Sequence, residues 1–397
     1  MNQEEILFEY IPAIRMFCVN MGLPVMAWLD DGPEASMAHN ENKFQQWRHR
    51  NTDKNIIYQH IRKGDASFLE QLKQQIETRR PETIRNGLWI ILEGMGVCVA
   101  GPSHANIQNL RSGEMRMESP EGTGRFVGKV VVVTGAAQGF GKGIAEWLFR
   151  EGAHLILADL NEEKGNILAS DLSNESHSNT AFFVKCNVSD QQSVTDMMAQ
   201  VIRYFGGLDV LISNAGVLIA GGLEEMSHED FEFVTKVNYA GFFNCTKVAA
   251  RIMKSQNIHS GDSFSDIIQI NSKSGLQGSH KNFAYAGSKF GSIGLVQSFA
   301  LELVPYHIKV NAICPGNYFD GPLWSDPDNG LFSQYLKAGK VKGARTIADV
   351  RHYYEGKVPM KRGVAIEDIM KAIFYIVDQN YETGQALPVT GGQIMLH

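Results

Sequence analysis

A tyrosine and a lysine four residues apart, Tyr285 and Lys289, stand in the run FAYAGSKFG. On a helix that spacing places both on one face, a turn apart. A phenol titrates near 10, so a tyrosine that accepts a proton at neutral pH needs about 3 units of lowering, roughly 4 kcal/mol. An ammonium about 4 Å away in an effective dielectric of about 20 supplies roughly that much. The pair is suited to taking a proton from an alcohol. The same spacing recurs at Tyr353 and Lys357, but Gly356 interrupts it and Pro359 follows. That second pair is read as a chance match.

The other chemical element is a glycine-rich loop, Thr134-Gly135-Ala136-Ala137-Gln138-Gly139-Phe140-Gly141. Val130 to Val133 predict a strand running into it, and a helix over Lys142–Glu151 leads out. Glycines permit a tight turn and let backbone N–H groups approach a pyrophosphate, and the helix N-terminus adds partial positive charge. Asp159 closes the next strand, HLILAD, 18 residues after Gly141. A carboxylate there accepts hydrogen bonds from a ribose and repels a 2′-phosphate, which predicts NAD over NADP.

The elements that must position these groups follow from the texture of the chain. After residue 125, short β-branched runs (VVVV, HLILA, AFFVK, LDVLI, DIIQI, HIKVNAI) alternate with amphipathic stretches. Strand and helix in alternation predict a doubly wound parallel sheet, an α/β Rossmann fold over 125–397. Before it, Glu4 to Met21 and Ala66 to Arg79 carry helical spacing, and Pro81 with Glu82 opens a further possible helix. WIILEGMGVCVAG reads equally as strand or helix. Residues 1–120 are thus expected to form a small, mostly helical N-terminal domain, joined by the Pro- and Gly-containing stretch 111–124.

Composition narrows the partners. The chain has 397 residues, and its net charge of −6 divides evenly about residue 124. No basic stripe argues for nucleic acid. The start, MNQEEILFEY, is acidic where a signal peptide is basic, and no run reaches the roughly 18 apolar residues of a membrane span. Five dispersed cysteines without a CxxC pair suit reduced thiols in the cytoplasm and suggest no metal site.

These residues resemble the short-chain dehydrogenase/reductase family over roughly 125–397. TGAAQGFG matches its glycine motif. CNVSD resembles its adenine-contacting turn, with Asn187 where Asp is usual, followed by Val188. SNAG matches its post-strand motif through Asn214, Ala215 and Gly216, with Ser213 in place of the first Asn. Pro315 and Gly316 match the turn beside the nicotinamide, whereas Asp320 stands where a Thr is usual. The resemblance implies a catalytic set of Asn238, Ser272, Tyr285 and Lys289. Ser272 holds the reacting oxygen, Asn238 holds a water linked to Lys289, and Lys289 also donates to the nicotinamide ribose.

NSKSG, SKFGSIGLVQSFALEL, KVPMKRG and VTGGQIM further resemble the sorbitol-6-phosphate 2-dehydrogenases, implying a polyol or sugar phosphate substrate and NAD. A sugar phosphate needs a cationic anchor. Lys273 follows Ser272, and His280 and Lys281 precede Tyr285; these are the candidate substrate residues. Arg351, Lys357, Lys361 and Arg362 follow the variable loop. Another polyol, a sugar acid or a 3-oxoacyl substrate stays open, as does a sugar-phosphate sensor on the same scaffold. A homo-oligomer is expected. Residues 91–109 resemble the tail of a sugar-phosphate aldolase domain, but histidines 39, 49, 60 and 104 form no His-x-His pair.

Overall fold

Apolar residues at helical spacing near the start of the chain form α1 (Ile11–Asn20), entered through a π-turn at Ile6–Tyr10, then α2 (Glu41–Arg50), α3 (Phe68–Glu77) and α4 (His104–Ser112). The computed structural model describes residues 3–51, 54–59, 67–84, 87–112, 124–176, 179–328, 330–337 and 339–395. Helices make up most of the regular structure before residue 113, as expected, but they cover a sheet that the periodicity did not reveal. Its strands are β1 (Val25–Leu29), β2 (Ile56–Gln59), β3 (Leu88–Leu92) and β4 (Gly96–Gly101), in the order β1-β4-β3-β2. The ambiguous run WIILEGMGVCVAG is the antiparallel β3–β4 hairpin. Every residue of both strands is buried, so neither shows the alternation that marks a strand in sequence. Most of the expected linker, 113–123, lies outside the described residues.

The alternating part of the chain forms the expected parallel sheet. Its strands are β5 (Val130–Thr134), β6 (His154–Asp159), β7 (Ala181–Lys185), β8 (Val210–Ser213), β9 (Ser265–Ile270), β10 (Ile308–Pro315) and β11 (Ala386–Val389), ordered β11-β10-β9-β8-β5-β6-β7. Val130 and Val132 join one apolar cluster with α7 (Gln191–Phe205), α9 (Gly241–Asn257) and α10 (Phe283–Leu303). Val131 and Val133 join another with α5 (Gly139–Arg150), α6 (Glu162–Glu175) and α13 (Ile366–Asp378). Both faces are covered, which is why a central strand reads as consecutive valines. Strand order reverses between β5 and β8, where a doubly wound sheet opens its ligand crevice.

The N-terminal sheet shares the first of those clusters. Apolar residues from Ile6 to Ile107 are continuous with Val130, Phe205 and Phe242. α1 and β1 seat on α7 and α9. At their centre Arg15, 1% exposed, donates to both carboxylate oxygens of Asp209 at 3.1 and 2.7 Å. Asp209 Oδ2 also accepts the Val130 N–H at 2.7 Å, so one carboxylate ties α1 to the starts of β5 and β8. Burial works against the ionised carboxyl, yet Arg15 and this N–H hold it below the usual range. Arg203–Asp30 and Arg251 with Glu4 and Glu9 add ion pairs around the rim.

Removing Arg15 leaves a buried carboxylate without its cation, a change that costs about 3–5 kcal/mol. Arg15→Met is expected to lower the urea midpoint steeply. Arg15→Met with Asp209→Asn should recover part of the loss, because no unpaired charge remains. Equal midpoints for parent and single variant would contradict this role.

Candidate active site

Every candidate catalytic side chain lies at or beyond the C-terminal ends of β8, β9 and β10. Thr134 Oγ1, at the end of β5, accepts the backbone N–H groups of Asn214 and Ala215 at 3.0 and 3.1 Å. Asn214 Nδ2 donates in return to the carbonyls of Thr134 and Gly135 at 2.9 and 3.1 Å. The SNAG turn and the glycine loop therefore brace each other. Gly135 and Gly139 have φ of +65° and +61°. A Cβ on Gly141 would stand 2.0 Å from the Gly135 carbonyl oxygen, so only glycine fits there.

Asp159 is fixed against this loop. Its Oδ2 accepts the Ala137 N–H and its Oδ1 the Asn161 N–H, both at 2.9 Å. Gln138 takes the N-cap position of α5 without a side-chain cap, leaving first-turn N–H groups for an anion. Asn187 folds its own turn, accepting from the Ser189 N–H and hydroxyl. The Val188 carbonyl accepts from Asn244 at 3.0 Å. Phe140 stacks on Tyr318 with ring centroids 4.4 Å apart, joining the loop to the segment after β10. A Cβ on Gly216 would fall 3.2 Å from Asn238 Oδ1, and one on Gly316 2.6 Å from Gln393 Oε1. The close backbone approaches and the free N–H groups fit a dinucleotide.

Asn238 sits in a π-turn, Lys236–Ala240, between α8 (His228–Thr235) and α9. Its side chain is buried and fully engaged. Oδ1 accepts the Val217 N–H at 2.8 Å, and Nδ2 donates to the Val217 carbonyl and Ser288 Oγ at 2.9 and 3.1 Å. Ser272 follows β9 and caps the short turn Lys273–Gly275, accepting the Ser274 N–H at 3.1 Å. Tyr285 and Lys289 lie on α10, as their spacing predicts, with Lys289 Nζ 5.7 Å from the tyrosine ring centroid.

The electrostatics differ from the expectation. Burial pushes the Tyr285 phenol up rather than down, and a hydrogen bond with Ser272 pulls the other way. Lys289, 4% exposed, is held down to about 8, chiefly by burial. Its ammonium donates to the Ile270 carbonyl at 3.0 Å instead of resting on the phenol. Burial likewise raises the neighbouring Cys314 thiol to about 12.

One buried residue to which the sequence assigned no role braces the centre. Asn271, 4% exposed, accepts the Ser272 N–H at 2.8 Å and donates to the Lys289 carbonyl at 3.0 Å. It locks the backbone of the serine to that of the lysine across two elements. Its place directly before Ser272, in an otherwise serine-rich motif, was the only sequence signal.

The candidate phosphate anchors separate clearly. Lys273 is partly buried, burial lowers its pKa, and it makes no ion pair among the described residues. Lys281 is paired with Glu225 at 2.7 Å, and His280 is exposed. Arg351 pairs with Asp320 and Glu355, and Arg362 with Asp368. Lys361 donates to the Gly356 carbonyl. Lys357 lies 4.2 Å over the ring of Tyr353, whose helix α12 (Ile347–Gly356) follows α11 (Leu331–Lys337). Those two helices pack over a small apolar cluster that includes Phe319, Phe332 and Val350. No helix among the described residues is long and apolar enough to cross a membrane.

The depressed Lys289 value carries a measurable consequence. The folded lysine releases its proton near pH 8, the unfolded one near 10.5. Between those values the unfolded chain binds more protons, so folding stability rises with pH. Relative to Lys289→Met, the parent should gain up to about 3 kcal/mol from pH 8 to 10.5. Urea unfolding across that range checks it, and parallel pH profiles would refute it.

Residues 129–324 match a family model described as short chain dehydrogenase. Sorbitol-6-phosphate 2-dehydrogenase of Escherichia coli K12 is 33% identical over 269 residues, spanning 67% of this chain and 99% of that protein. Trans-4-hydroxycyclohexanecarboxylate dehydrogenase of Sinomonas cyclohexanicum is 30% identical over 275 residues, spanning 68% and 94%. The crystal structure of sorbitol-6-phosphate 2-dehydrogenase from Erwinia amylovora superposes with a TM-score of 0.61 at 34% identity, covering 68% of this chain and all of that one. With such relatives matched almost end to end over a parallel sheet and a braced glycine loop, the chain belongs to the short chain dehydrogenase family of oxidoreductases.

Proposed function

We propose that the protein oxidises a secondary alcohol of a polyol phosphate with NAD, most specifically D-sorbitol 6-phosphate to D-fructose 6-phosphate. The observation that carries the substrate class is Lys273, a partly buried cation directly after Ser272 with no ion pair among the described residues. Burial without a counter-ion is unfavourable for an ammonium, and a substrate dianion beside Ser272 would relieve it. The similarity to the Escherichia coli relative points the same way.

The geometry supports the following assignment of roles. Tyr285 accepts the proton of the substrate hydroxyl, which Ser272 holds by hydrogen bonding. Lys289 supplies a positive charge beside the phenol, and Asn271 keeps serine and lysine in register. Asn238 orients the start of α10 through Ser288. Gly135, Gln138, Gly139, Phe140 and Gly141 would hold the pyrophosphate, and Asp159 the adenosine ribose. Asn187 and Val188 would border the adenine. Asn214, Ala215, Gly216, Tyr285, Lys289, Pro315 and Gly316 would line the nicotinamide end. Bound nicotinamide supplies the hydride acceptor. The fixed Asp159 carboxylate opposes a 2′-phosphate, favouring NAD over NADP.

Exposed Phe231, Phe233, Phe243 and Phe290 on neighbouring helices α8, α9 and α10 favour a homo-oligomer. The charge and cysteine pattern fit a cytoplasmic enzyme.

NADH absorbance with a panel of polyols and polyol phosphates tests the reading. Sorbitol 6-phosphate with NAD should be turned over, NADP should be at least about tenfold poorer, equivalent to about 1.4 kcal/mol, and Tyr285→Phe should be nearly silent. Activity confined to unphosphorylated alcohols would overturn the substrate class.

Lys273→Ala separates an anchor from a loop support. The variant should lose roughly ten- to a hundredfold in kcat/KM on sorbitol 6-phosphate, mostly through KM, since a charge-assisted contact contributes about 1.5–3 kcal/mol. Sorbitol itself should be little affected. Equal loss on both substrates would assign Lys273 to shaping the turn.

A further inference from the structure

The N-terminal sheet carries a concave surface that the dehydrogenase chemistry does not use. It lies at the β2 edge, opposite in strand order to β1, which seats on α7. A cleft of about 430 Å³ opens there, its wall including Arg48, His49, Asn51, Lys54, Asn55 and Arg79. The cations come from separate elements: Arg48 from the last turn of α2, Lys54 from the approach to β2, and Arg79 from the end of α3. No Asp or Glu is among the described lining residues. In a chain of net charge −6, that concentration of positive charge is local.

Two of these cations are held in place. Arg79 Nη2 donates to the Ile56 carbonyl at 2.9 Å, while its Nε is buried and has no hydrogen-bond partner. A buried guanidinium donor without an acceptor is unfavourable. Lys54 Nζ lies 5.3 and 4.9 Å from the ring centroids of Trp47 and Trp89 and donates to the Leu110 carbonyl at 3.0 Å. Asn51 and Asn55 are anchored by bonds to the Trp47 and Thr83 carbonyls. The wall is thus pre-organised, which lowers the cost of binding.

Two convergent guanidinium groups, Arg48 and Arg79, with no Asp or Glu among the described lining residues, are the chemistry that recognises a phosphate group. The cleft volume lies in the range of small-molecule sites and exceeds what a bare ion fills. We infer that this cleft binds a small phosphate ester, with Arg48 and Arg79 contacting the phosphate. The site is separate from the cleft at Ser272 and does not depend on the proposed dehydrogenase substrate.

The full-length protein tests this with ribose 5-phosphate and inorganic phosphate as probes, read by isothermal titration calorimetry and by tryptophan fluorescence. Ribose 5-phosphate should bind with a submillimolar Kd, more tightly than inorganic phosphate. Arg48→Gln and Arg79→Gln should each weaken it at least tenfold, while Lys273→Ala leaves it unchanged. Arg48 is exposed, so its variant keeps the test open if Arg79→Gln fails to fold. NADH binding and circular dichroism should match the parent in both. No binding at millimolar ribose 5-phosphate, or undiminished binding in Arg48→Gln, would overturn the site. Equal affinity for phosphate and its ester would overturn the assignment to an ester.

Discussion

One buried carboxylate organises the molecule. Asp209 stands at the N-terminal end of β8 and reaches Arg15 on α1 and the Val130 N–H that opens β5. An ionised carboxyl in that position is tolerable only with its cation and its donor both in place. Because β5 and β8 flank the switch point, the same contact that seats the N-terminal region also fixes the two strands whose far ends carry the glycine loop and the SNAG turn. The extra residues are not an appendage on a finished sheet. They complete the covering of α7 and α9 and supply the charge that the base of the sheet requires.

A similar arrangement repeats along the base. Lys309, 1% exposed, contacts Asp266 and donates to the carbonyls of Ile376 and Gln379 at the end of α13. Pairing meets only part of the polar cost at the bottom of the sheet, since burial still raises the Asp266 carboxyl to about 7 despite Lys309. At the top the same cost falls on the candidate site: Lys289 is held near 8 by burial, the Tyr285 phenol is pushed up, and Lys273 is partly buried with no ion pair among the described residues. Groups whose charge is destabilised in the folded protein are those that a substrate or cofactor can stabilise, which is how such centres are recognised. Beside the aromatic cluster of Phe319 and Phe332, Arg351 and Arg362 are already paired with carboxylates.

The amino-acid sequence by itself determined the doubly wound sheet, because strands buried on both faces appear as unbroken β-branched runs, and Val130 to Val133 could be little else. It also determined the glycine loop, Asp159 and the Tyr285–Lys289 helix face, because each depends on short-range spacing. It left the N-terminal sheet hidden. β3 and β4 are wholly buried and joined by a tight hairpin, and a short apolar segment of that kind has the same texture as a buried helix. Only the tertiary structure decided which cations stay available, because Lys273 and Lys281 look alike until Glu225 is seen to take the second. It alone placed Asn271 between Ser272 and Lys289, and Arg15 against Asp209, 194 positions away. Such pairings are set by long-range packing, and no local pattern along the chain carries them.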